Sequence, residues 1–259
     1  MSEICGRNFI DEENKNEIVV YWSACANEEN WSFYNLVQKV PYWLATDHLN
    51  LHTDNNRGHA LLSCPAHQNA KSDTLVINFP LDIHIIFDQN GQPILDATQH
   101  SRFVNFFPQL SNANDKMTNR YYIQFSGVPI FFSEDSLEME LFPPYLHNVS
   151  VSQYAALTVG KFDIGKWFRP LYFDYMLWNN VREIVLKEND PGMYIRFYTN
   201  KRIKLQEFKC TDFIFSTARA CESVARQYKN KQSLQQRYDL FSSGSTKRAL
   251  LQEIKKNLI

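Results

Sequence analysis

From residue 74 to residue 208 apolar and polar positions alternate with a period near two, in short runs broken by turn residues. TLVINF (74–79) and DIHIIFD (82–88) are β-branched runs on either side of Pro80, and DQNG at 88–91 supplies the Asn-Gly pair that favours a hairpin turn. RYYIQFS (120–126), VPIFFS (128–133) and LEMELF (137–142) continue the pattern. In the last of these Leu137, Met139 and Leu141 fall on one face while Glu138 and Glu140 fall on the other, as a half-buried strand requires. PLYFDYMLW (170–178), REIVLK (182–187), MYIRFYT (193–199) and IKLQEF (203–208) add four more. Eight or nine short strands without intervening helices predict a mainly β body, a sandwich or a barrel.

Helical periodicity is confined to the flanks. NWSFYNLVQK (30–39) predicts a short helix before Pro41. After Cys210 the period changes, with Thr211 or Asp212 as cap of a helix running to about residue 230 and Phe213, Phe215, Ala218, Val224 and Tyr228 as its apolar positions. TKRALLQEIKKNL (246–258) places Leu250, Leu251, Ile254 and Leu258 on one face and its lysines on the other. The division that follows is a β-rich body over 1–210 and a helical C-terminal segment over 211–259, packed on the body.

Charge follows the same division. The net charge of -1 hides 13 Lys and Arg against 5 Asp and Glu in residues 201–259, and 14 against 23 in residues 1–200. A basic tail beside an acidic body either contacts phosphate or docks on its own chain. Lys229, Lys231, Arg237, Lys247, Arg248, Lys255 and Lys256, interleaved with Tyr228 and Tyr238, are compatible with nucleic acid, but a pI near 6.7 disfavours a dedicated binder. Docking of the amphipathic terminal helix on the body or on a partner subunit is the more economical expectation.

Five cysteines at 5, 25, 64, 210 and 221 form no CxxC pair, which argues against a zinc ribbon or a secreted disulfide framework. The polar, acidic start MSEICGRNFIDEENKNE has no basic and apolar regions in the order of a signal peptide. No apolar stretch reaches the ~18 residues a membrane helix needs. Eight glycines leave little material for a phosphate loop.

Several phrases carry a resemblance. PYWL (41–44), Cys64-Pro65, Pro80 with Asp82, VPIFFSEDSLEMELFPPYLH (128–147), GKFDIGKWFRPLYF (160–173) and KENDPGMYIRF (187–197) occur in this order in a family of uncharacterised proteins frequent in contractile-tailed marine bacteriophages, with relatives in bacteria. The chain resembles that family over most of 17–210 and into the tail ending EIKKNLI. The resemblance implies a phage protein of the host cytoplasm or the virion, and no activity comes with it. At fold level Gly160, Asp163, Arg169 and then Gly192 leading into Met193–Phe197 resemble the order seen in dUTPase and dCTP deaminase chains, which implies a β-clip or jelly-roll-like body. Five residues separate Asp163 from Arg169 here, and neither a glycine-rich C-terminal motif nor a Pro-Arg-Ser segment is present.

GKFDIGKWFRP (160–170) is the most unusual segment. Asp163, Lys166, Trp167 and Arg169 are the candidate ligand residues, with Lys161, Lys166 and Arg169 for a phosphate or carboxylate, Trp167 to stack on a ring, and Gly160 and Gly165 to let the backbone approach. The alternative, which is favoured, is a tight corner between strands, with Trp167 and Phe168 plugging the core and Arg169 paired to Asp163. Glu134, Asp135, Glu138 and Glu140 form a carboxylate cluster that suits either a hard cation or a solvated strand face, the latter favoured. His52, Asp54 and His147 have the spacing of a facial triad for iron, and Cys64 with His67 that of a nucleophile and base, both undemanding patterns. No cofactor is specified.

The functional expectation is therefore a non-catalytic binding or assembly module, whose partner is a second copy or a phage or host protein. A nucleotide- or small-anion-binding protein on a dUTPase-like body is the alternative, and a non-haem iron oxygenase is the outlier.

Overall fold

The computed structural model describes residues 16–23, 40–45, 65, 74–90, 93–94, 104–108, 121–125, 129–224, 236, 238, 241–242 and 244–259. In chain order the described strands are β1 (Glu17–Ser23), β2 (Tyr42–Trp43), β3 (Thr74–Asn78), β4 (Ile83–Ile86), β5 (Val104–Pro108), β6 (Tyr121–Phe125), β7 (Ile130–Ser133), β8 (Glu138–Phe142), β9 (Ala155–Leu157), β10 (Gly160–Asp163), β11 (Phe173–Leu177), β12 (Glu183–Leu186), β13 (Pro191–Phe197) and β14 (Arg202–Glu207). Helices α1 (Asp212–Val224) and α2 (Ser245–Lys256) follow. The protein is mainly β, sandwich-like, with a helical C-terminal tail.

The strands form a five-stranded sheet of order β10-β8-β13-β3-β2, a four-stranded sheet β5-β6-β11-β9, a three-stranded sheet β14-β1-β7 and the pair β12-β4. Alternation decides what each sheet buries. Leu75, Ile77, Met139, Leu141, Met193 and Ile195 of the first sheet share one core with Ile123, Phe125, Phe173 and Tyr175 of the second. Ile83, Ile85, Ile184 and Leu186 close it from the side, while His84 and Glu183 on the other face of that pair bond at 2.6 Å. Phe79 stands at its centre, with ring centroids 4.9 Å from Phe173 and 5.8 Å from Phe125.

β1 separates this core from a second one. Ile18, Val20 and Trp22 face the first core, while Tyr21, with Val19 beside it, faces Ile130, Phe132, Phe168 and Phe208 on the opposite side of the sheet. A strand buried on both faces carries no alternation, so EIVVYWS shows only a continuous apolar run. That is why the period-two expectation passes over it. β1 pairs antiparallel with β7 but parallel with β14, joining the first described strand to the last.

The helices cover that second face. α1 contributes Ile214 and Ala218 and α2 contributes Leu250, Leu251 and Ile254 to the second core. Thr211 starts α1, its hydroxyl accepting from the Ile214 amide. The expected apolar face needs correction at two points: Phe213 is exposed, and Ile214 takes the inward place. Leu258 also lies beyond the end of α2, where Phe208 and Leu258 form an antiparallel bridge flanked by Lys209 N–H to Asn257 O and Ile259 N–H to Glu207 O. The C-terminus is thereby tied to the end of β14. The helix expected at 30–39 and residues 225–230 of the expected α1 lie outside the described residues.

Two expected strand regions resolve further. The run 170–178 forms strand only at 173–177, because Pro170 bridges Ile130 instead. At the DQNG turn Asp88 accepts the Asn90 amide, and the chain returns through a bridge between Phe87 and Pro93. Gly192 sits at an irregularity in β13, where a Cβ would come within 2.4 Å of the Phe173 ring. Only glycine fits between that strand and the core aromatic.

Candidate functional site

The segment 160–170 begins as β10, paired antiparallel with β8 so that Asp163 lies opposite Glu138. It then turns sharply. The Asp163 carboxylate accepts three hydrogen bonds, from the Gly165 amide at 2.8 Å, the Leu137 amide at 3.0 Å and the Ser136 hydroxyl at 2.6 Å. This is an Asx-type turn held from two sides. Lys166 closes it with its amide on the Asp163 carbonyl and its ammonium 3.9 Å from the carboxylate. A Cβ on Gly165 would stand 2.3 Å from the Asp135 carbonyl oxygen, so the close approach that calls for glycine is to the chain's own backbone.

The next residues turn inward. Phe168 is fully buried with its ring 5.1 Å from Phe132, edge to face, as the corner reading expects. Trp167 is half-buried and packs between residues of the chain itself, 4.9 Å from the Phe162 ring and 4.7 Å from the Tyr238 ring. Arg169 lies against the same indole, its guanidinium carbon 4.6 Å from the ring centroid, and donates through Nη1 to the Tyr238 hydroxyl at 3.3 Å. The expected Arg169–Asp163 pair is not formed: Asp163 is held by backbone amides and Ser136, and Arg169 points to the tail.

The structure thus gathers all four candidates at one corner but divides them by role. Asp163 and Lys166 fix the turn, and Trp167 and Arg169 contact the C-terminal segment. Tyr238 is the residue that sequence reasoning misplaced: grouped there with the tail's phosphate-contacting cations, it is buried against the corner. Burial raises its phenol pKa and pushes the neighbouring Cys221 thiol up to about 11. From α2, Lys247 reaches the same turn and donates to the Gly165 carbonyl at 2.7 Å, and its partial burial lowers its pKa.

The carboxylate cluster is dispersed by pairing. Glu134 holds Lys255 at 2.6 Å, Glu138 holds Lys161 at 2.7 Å, and Glu140 accepts from the Tyr198 hydroxyl. Among the described residues no group of His, Cys, Asp and Glu is placed to hold a metal ion. His147 bonds through Nδ1 with the hydroxyl of Tyr194, which lies buried on β13. His52, Asp54, Cys64 and His67 lie outside the described residues, as do Tyr228, Lys229, Lys231 and Arg237.

Of the tail's cations, Lys247 and Lys255 bond to the body, Lys255 from an exposed position, and Arg248 and Lys256 are exposed as well. Among the described residues no helix is long and apolar enough to cross a membrane. Comparison with protein-family models, curated proteins and solved structures finds no match for the chain.

Proposed function

We propose that the protein is a non-catalytic binding or assembly module, phage-encoded and acting in the host cytoplasm or the virion. One observation carries the functional part: the residues of greatest ligand-binding character, Trp167 and Arg169, are engaged by Tyr238 of the chain's own tail. An indole packed between Phe162 and Tyr238 has little face left for a base, and the turn carboxylate already accepts three hydrogen bonds. The corner works as a joint that fastens a helical layer to a β body. The phage assignment rests on the sequence resemblance over 17–210.

A thermal-shift screen against nucleoside triphosphates, with and without magnesium and manganese, tests this reading, since a ligand selective for the native state raises the unfolding midpoint. The expected result is no shift. A saturable rise with a nucleotide, lost on Arg169→Ala in a folded variant, would favour the nucleotide-binding alternative instead. Peptide mapping of purified phage particles and of infected-cell lysate separates a virion role from a host-cell one.

A further inference from the structure

The ribbon of β4 and β12 buries one face and turns the other outward. Ile83 and Leu186 point into the first core, so Asp82, His84, Val185 and Lys187 stand on the outer face. These six residues line an open cavity of about 340 Å³, at the small end of the range for ligand pockets. The register pairs Leu186 with Ile83 and Val185 with His84. It therefore sets Lys187 opposite Asp82 at one end of the cavity and Val185 opposite His84 at the other.

The two ends differ in chemistry. At the first, Asp82 and Lys187 carry opposite charges on neighbouring strands, yet among the described residues no ion pair joins them. Asp82 Oδ1 accepts the Glu188 amide at 2.8 Å, and its second oxygen and the Lys187 ammonium bond to nothing among those residues. At the second end Val185 is 39% exposed, and the His84 ring beside it is fixed by Glu183, 2.6 Å from Nε2. Asp82, Val185 and Lys187 are exposed and His84 partly so, which leaves all four open to a solute.

We propose that this cavity is a binding site for a small zwitterion of the α-amino-acid class with an aliphatic side chain. Lys187 takes the carboxylate, the second oxygen of Asp82 takes the ammonium, and the side chain lies along Val185 against the His84 ring. A single carbon carrying both charged groups fits between two residues that face each other across a strand pair, about 5 Å apart at Cβ. The next outward pair lies about 7 Å along the strands, within reach of a branched aliphatic chain. A plain acid or a plain amine of the same shape meets one opposite charge and one like charge at the same end, so the pair selects for both groups together. The site lies on a different sheet from the corner at 163–169 and does not depend on it.

The test follows the methyl resonances of Val185 in the full-length protein, assigned by their loss in Val185→Ala, during titration with L-leucine, isocaproate and isoamylamine. The three share an aliphatic chain, but isocaproate lacks the ammonium and isoamylamine lacks the carboxylate, so the comparison is made on the parent protein and needs no variant to fold. The expected result is a saturable shift with leucine and roughly tenfold weaker binding of the other two. Lys187→Gln should abolish the advantage of leucine over isoamylamine. Asp82→Asn, which keeps an oxygen for the Glu188 amide, should abolish its advantage over isocaproate. Val185 methyls unmoved up to tens of millimolar leucine overturn the site, as would be seen if the cavity held water alone. Equal binding of the three compounds overturns the assignment to a zwitterion, as does an undiminished preference for leucine in folded Lys187→Gln.

Discussion

Arg169 donates a hydrogen bond to the hydroxyl of Tyr238 at 3.3 Å, joining the corner after β10 to a residue 69 positions later in the C-terminal segment. Both side chains also lie against Trp167, so one indole is shared by the body and the tail. The contact converts the most ligand-like stretch of the sequence into part of an internal joint.

Tyr238 should therefore be an anchor of the tail. Tyr238→Phe keeps the stack and removes the hydrogen bond, an expected loss of about 1 kcal/mol, whereas Tyr238→Ala removes the ring as well and should cost about 3–5 kcal/mol. Urea unfolding of the two variants measures both. Equal stability of Tyr238→Ala and the parent would mean that the ring does not hold the joint.

The two glycines of the 160–170 segment should behave differently. Gly165→Ala forces a Cβ against the Asp135 backbone, which no side-chain rotation relieves, and an overpacking penalty of about 1–3 kcal/mol is expected. Gly160→Ala meets nothing within 4 Å and should leave stability within about 0.5 kcal/mol on steric grounds. Denaturation midpoints of the pair check the contrast.

The sequence made the body legible wherever one strand face is buried and the other is not. Leu137, Met139 and Leu141 against Glu138 and Glu140 name β8 directly. β1 failed that test because both of its faces are buried, although the unbroken run from Ile18 to Trp22 was a signal of another kind. β9, three residues long, carries too little sequence for any period. At the corner, the role of Phe168 as a plug was legible from its type and place, while the partner of Arg169 was not. Sequence proximity pointed to Asp163, but a carboxylate that accepts the Gly165 amide of its own turn together with the Leu137 amide and the Ser136 hydroxyl from the neighbouring segment has little left to offer, and only the fold brings Tyr238 across.

Burying the terminal helix should matter more than its charge. Ile254 is fully buried in the second core, so Ile254→Ala should destabilise by about 2–5 kcal/mol, while Lys256→Ala on the exposed face should change stability by no more than about 0.5 kcal/mol. Hydrogen exchange of α2 in the first variant should rise along with the loss of stability. A tail unaffected by Ile254→Ala would not be packed on the body as described.

Asp174 on β11 should make stability fall as pH rises through the acid range. Burial raises its pKa, against a weaker opposing effect from the Gln124 hydrogen bond, and one carboxylate oxygen has no partner. The folded state then holds its proton more tightly than the unfolded state. This contribution is full below the unfolded carboxyl pKa of about 3.9 and is lost as pH climbs through the raised folded value. Asp174→Asn should remove that dependence and stabilise the protein at pH 7 relative to the parent. Urea midpoints at pH 4 and pH 7 for both proteins measure it, and a variant less stable than the parent at pH 7 would contradict the burial argument.

The Asp163–Arg169 corner fastens the tail through the Arg169–Tyr238 contact, and a double-mutant cycle between Arg169→Met and Tyr238→Leu measures that coupling. Unfolding free energies of the parent, both single variants and the double variant give the coupling between the two side chains. A coupling of about 0.5–3 kcal/mol in favour of the pair is predicted for residues in contact. Additivity within about 0.3–0.5 kcal/mol, the behaviour of independent sites, would contradict the joint and return Arg169 to the ligand-binding reading.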